Sequence, residues 1–80
     1  MNFDYSRYQN AQLKAGGFDP ATLTEEQKSV ILMPSEAPEN YMCDGEISRS
    51  QALIRWKRML TRVGLSPKNV RKAVALNGLG

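Results

Sequence analysis

The chain reads as all-α, a compact four-helix domain made of two helical hairpins. Three observations predict this class. Two capping boxes, Thr24-Glu25-Glu26-Gln27 and Ser48-Arg49-Ser50-Gln51, mark helix starts. A Ser66-Pro67 pair marks a third, with proline where a helix tolerates it. Apolar residues recur at helical spacing in several stretches, and no segment alternates long enough to read as a strand.

The first helix is expected from about Asp4 to Ala15, with Tyr5, Tyr8, Ala11, Gln12 and Ala15 at helical spacing. Gly16-Gly17 ends it, because glycine takes the left-handed cap conformation at little cost. The second starts at Thr24, places Glu25 and Glu26 at the positive end of its dipole, and stops near Met33 ahead of Pro34. Residues 34–46 hold two prolines and Asp44-Gly45, which predicts one long loop. The third helix carries Ala52, Leu53, Trp56, Met59, Leu60 and Val63 on one amphipathic stripe, and Gly64 ends it. The fourth runs from the Ser66 cap to Gly78, with Val70, Ala73, Val74 and Asn77 on its inner face. The core is expected around Leu53, Trp56, Leu60, Val63, Val70 and Val74, joined by Leu13, Val30 and Ile31. An eight-residue echo relates Leu13–Pro20 to Leu60–Pro67: both read helix end, glycine, large apolar residue, capping side chain, proline. A duplicated hairpin would produce it, and so would two turns with the same chemical needs.

Eighty residues predict a single domain over 1–80 with a small core. Hydrophobic content of 41% and charged content of 24% set the chain apart from disordered sequences. A single cysteine, Cys43, excludes an internal disulfide, and with no histidine it excludes the usual zinc sites. The free thiol, the absence of a long apolar run and an N-terminus without a basic-then-apolar leader lead us to expect a cytoplasmic protein that does not engage a membrane.

Charge is sorted along the chain. Residues 1–46 hold three basic and eight acidic side chains, a net −5; residues 47–80 hold eight basic side chains and no acid, a net +8. Such a block attracts a polyanion or an acidic protein surface. On the fourth helix Lys68, Arg71, Lys72 and Ala75 share one face; on the third, Arg55, Arg58 and Arg62 form a second basic row. The candidate nucleic-acid-binding residues are therefore Arg55, Arg58, Arg62, Lys68, Arg71 and Lys72. Arg71 is placed to read guanine, with Lys68, Arg58 and Arg62 on phosphate.

The stretch from Trp56 to Leu76 resembles a helix-turn-helix of the small phage-repressor type. Gly64 stands in the turn, Leu65 comes next, and Val70 lies six positions after the glycine. Met59, Val63, Ala73 and Val74 match further inner positions. The slot four residues before the glycine holds Leu60, where the motif has a small residue. The resemblance implies a DNA-binding regulator, dimeric if its sites are palindromic.

Other chemistry finds little support. No histidine, Gly-rich phosphate loop, paired carboxylates at helical spacing or nucleophile motif is present, so catalysis and cofactors are not expected. Asn40–Gln51 fits the middle of a calcium loop at Asp44-Gly45-Glu46-Ile47-Ser48, but Met42 and Gln51 fall on ligand slots and leave too little anionic oxygen. Trp56 reads as a core anchor. Tyr5, Tyr8 and Tyr41, with Met33, Met42 and Met59, are expected to line an interaction surface. The alternative to DNA binding is a docking adaptor or inhibitor, of the build found among phage and mobile-element proteins, that grips a host protein through its charged faces. A third account has the two halves neutralise each other, within the chain or head to tail in a dimer.

Overall fold

The computed structural model describes residues 4–79. Each start signal in the sequence is answered by a hydrogen bond. Asp4 caps α1 (Tyr5–Ala15) by accepting from the Arg7 amide. Thr24 caps α2 (Glu25–Ile31): its hydroxyl accepts from the Gln27 amide at 3.1 Å, and Gln27 Oε1 accepts from the Thr24 amide at 2.9 Å. Between residues 32 and 45 lie α3 (Met33–Glu36), α4 (Pro38–Met42) and a turn of 3₁₀ helix over Cys43–Gly45. The Ser48–Gln51 box opens α5 (Arg49–Arg62), and Ser66 caps α6 (Pro67–Leu76). All regular structure among the described residues is helical.

The class is all-α, but among the described residues six α-helices replace the expected four. The difference lies in 34–46. Pro34 and Pro38 each fall in the first turn of a helix, where the missing amide has no partner to lose. They start helices instead of breaking one. The reversal into α5 is made by three successive left-handed residues, Cys43 (φ 50°), Asp44 (φ 55°) and Gly45 (φ 83°).

The echo has a structural counterpart. After α1, Phe18 N–H reaches the Leu13 carbonyl and Gly17 N–H that of Lys14; after α5, Leu65 reaches Leu60 and Gly64 reaches Thr61. Both are Schellman closures, and each has buried apolar residues at its two ends: Leu13 and Phe18, Leu60 and Leu65. Beyond the closures the chain takes two different paths: Pro20 opens three residues of 3₁₀ helix, whereas Pro67 opens ten residues of α6. The shared eight residues are one turn chemistry used twice.

A single core runs through the molecule. Leu13, Val30, Ile31, Trp56 and Leu60 lie in it as expected, joined by Phe18, Leu32, Tyr41, Ala52, Leu65 and Ala73. Trp56 is fully buried, and its indole N–H donates to the Val30 carbonyl at 2.7 Å. Asn77, the residue that follows α6, donates to the Ile31 carbonyl at 2.9 Å, so the last carbonyls of α2 are held from α5 and from the end of α6. Leu53, Val63, Val70 and Val74 are only half-buried, at the edge of the cluster. On α6 the inner face centres on fully buried Ala73, and Val70 and Val74 lie beside a surface groove.

Candidate nucleic-acid interface

The basic half of the chain folds as α5, a turn over residues 63–66, and α6. Gly64 sits at φ 99°, a backbone state that costs an L-residue about 1–2 kcal/mol. The turn is anchored from below by buried Leu65 and from α2 by Gln27 Nε2, which donates to the Val63 carbonyl at 2.9 Å. Leu60 fills the slot where the helix-turn-helix motif has a small residue; it is fully buried between the helices.

The six candidate cations separate into two groups. Arg55 is half-buried and turned inward: its guanidinium donates to the carbonyls of Asn40, at 2.6 Å, and Tyr41, at the C-terminal end of α4. It neutralises the negative end of that helix. Lys72 is also half-buried. Its ammonium donates to the Gly17 carbonyl at 3.1 Å and lies 6.0 Å from the centre of the Phe18 ring, tying α6 to the turn after α1. Arg58, Arg62, Lys68 and Arg71 are exposed.

On α6 the exposed strip is Pro67, Lys68, Arg71 and Ala75. Beside it a groove of about 350 Å³ opens between α5 and α6, lined by Lys57 and Thr61 on one side and Pro67, Val70, Arg71 and Val74 on the other. Lys57 is the residue that periodicity missed. At about 100° per residue it stands roughly 100° around α5 from Arg58 and 140° from Arg62, outside the row those residues suggested. Only the packing of α6 against α5 brings it to the same groove as Arg71. Within the described residues the one ion pair is Lys28–Glu25 at 3.5 Å. None of the cations of α5 and α6 makes an ion pair with a carboxylate among the described residues.

The aromatic and Met set is dispersed. Tyr41 is buried edge-on to Trp56, with ring centres 5.8 Å apart, and burial raises its phenol pKa. Met33, Met42 and Met59 pack against the core. Tyr5 and Tyr8 are 50% and 46% exposed on α1. The Tyr5 hydroxyl donates to Glu36, which also accepts from Gln9 at 3.2 Å. That hydrogen bond, then desolvation and the carboxylate charge, raises the Tyr5 pKa above 10.0. In the calcium-like stretch, Gln51 and the Ser48 hydroxyl serve the start of α5, and the Asn40 carbonyl serves Arg55.

No protein-family model matches the chain, and neither a curated protein nor a solved structure shows significant similarity to it. No helix among the described residues is long and apolar enough to cross a membrane.

Proposed function

We propose that this is a non-enzymatic DNA-binding protein that presents α6 to the major groove of a duplex. The observation that carries the reading is the acid-free outer face of the α5–α6 hairpin, where Lys68 and Arg71 share the open strip of α6 and Lys57 faces Arg71 across the groove. A helix of this width fits the major groove, and the preceding helix then crosses the backbone. Arg71 addresses base edges, Lys57 and Lys68 address phosphate, and Arg58 and Arg62 add to the field from the flank. Arg55 and Lys72, each hydrogen-bonded to backbone carbonyls of another element, serve as supports. The tight Gly64 turn and the buried Leu65 support the helix-turn-helix reading, because they fix α6 at its N-terminal end. On a palindromic site two copies would bind together.

A second reading rests on the groove itself. Its floor of Pro67, Val70 and Val74 between two cations suits an acidic amphipathic helix of a partner protein. Titrating isotope-labelled protein with a short random duplex separates the two. DNA binding predicts amide shifts concentrated at Lys57, Thr61, Lys68, Arg71 and Ala75, sparing Tyr8 and Glu39. No shifts at low salt, or shifts centred on the acidic half, would remove the DNA reading.

A further inference from the structure

The open strip of α6 is chemically one-sided. Major-groove readout uses Arg or Lys for guanine, Asn or Gln for adenine, Asp or Glu for cytosine, and an apolar contact for the thymine methyl. The strip holds Pro67, Lys68, Arg71 and Ala75. The amides that could serve adenine are turned away. Asn69 is half-buried off the strip, and Asn77 holds the Ile31 and Ala73 carbonyls. Residues 47–80 contain no acid to serve cytosine. Lys72 is held at Gly17. What remains is one fork-shaped donor, Arg71, with an apolar residue one turn away on each side, Pro67 and Ala75.

Resting on the DNA reading above, we infer that the protein prefers a guanine with thymines nearby, Arg71 holding guanine O6 and N7 while Ala75 and Pro67 touch thymine methyl groups. The spacing suits this. Residues four apart on a helix are separated by about 6 Å along the axis, against about 3.4 Å per base pair, so each thymine falls within two pairs of the guanine. The Arg71 guanidinium gives two parallel donors on a guanine edge, whereas Lys68, the other cation of the strip, is a point charge better suited to phosphate.

The test is selection from a randomised duplex library with the wild-type protein, then titration of the enriched duplex and its analogues. Enrichment of guanine with thymine within two pairs is expected. Replacing that guanine with 7-deazaguanine should weaken binding about 5- to 150-fold, as should Arg71→Ala, and the variant should no longer discriminate between the two duplexes. Replacing the thymines with uracil, which removes only a methyl group, should weaken binding about fourfold per contact. The DNA-side substitutions need no change in the protein, so a folding defect cannot mimic them. Binding without enrichment, enrichment of adenine or cytosine, or affinity indifferent to deazaguanine and uracil would overturn this inference and leave the DNA reading standing. Absence of any salt-sensitive binding to the library would overturn both.

Discussion

Trp56 shows how one side chain can hold several helices. It is the largest fully buried residue, packs edge-on against Tyr41 of α4, and donates its only polar hydrogen to α2. Trp56→Ala should cost about 3–5 kcal/mol, enough to unfold a domain of this size, while Trp56→Phe should cost about 1–3 kcal/mol by removing the indole donor to the Val30 carbonyl and leaving a small cavity beside the ring. Thermal melts monitored by far-ultraviolet circular dichroism check both. Arg55 makes a sharper case because its charge suggests DNA and its geometry suggests structure. Arg55→Ala should lower stability by about 1.5–3 kcal/mol and leave duplex affinity essentially unchanged at temperatures where the variant is folded. A large affinity loss without a stability loss would return Arg55 to the interface. Tyr5 offers a pH readout. Its raised pKa means that the folded state favours the neutral phenol. The stability contributed by its bond to Glu36 is present below about pH 10 and is lost as pH rises through the raised value. Ultraviolet titration of the wild type beside Glu36→Gln should show a late-ionising tyrosine that ionises earlier in the variant.

At the scale of elements, the turn between α5 and α6 decides where the basic face points. Gly64→Ala should destabilise by about 1–2 kcal/mol through its positive φ alone, and Gly17→Ala by a similar amount in the matching turn after α1. Chemical denaturation with an unchanged m-value would locate the effect in the native state. Helix starts were legible in the sequence because capping is local: Thr24, Ser48 and Ser66 each find their partner three residues on. The glycine stops were legible for the same reason. The segment 34–46 was not, since proline breaks a helix interior yet opens a helix start, and nothing within the segment tells the two apart. The exact rotation of α6 was not legible either. Val70, Ala73 and Val74 are all apolar, and only the packed fold shows Ala73 to be the buried centre of the inner face. Of the candidate cations, Arg58, Arg62, Lys68 and Arg71 were legible as exposed. The inward turn of Arg55 and Lys72 depends on carbonyls 14 and 55 residues away in sequence, which periodicity does not see.

At the scale of the molecule, the unbalanced charge is the dominant fact. A block of eight cations with no acid of its own makes no ion pair among the described residues, and the groove of Lys57 and Arg71 opens on it. The measurement that bears most directly on DNA binding by this face is duplex affinity as a function of salt, for the wild type beside the triple variant Lys57→Ala, Lys68→Ala, Arg71→Ala. If Lys57 and Lys68 neutralise phosphates while Arg71 holds a base edge, log K should fall with log salt at a slope near −1.8 from the two lysines alone, which is about 12-fold between 50 and 200 mM. The variant, with its melting temperature unchanged because all three side chains project outward, should lose that part of the slope and most of the affinity. An identical slope in both proteins, or a wild type with no measurable affinity for duplex DNA at low salt, would contradict DNA binding through this face.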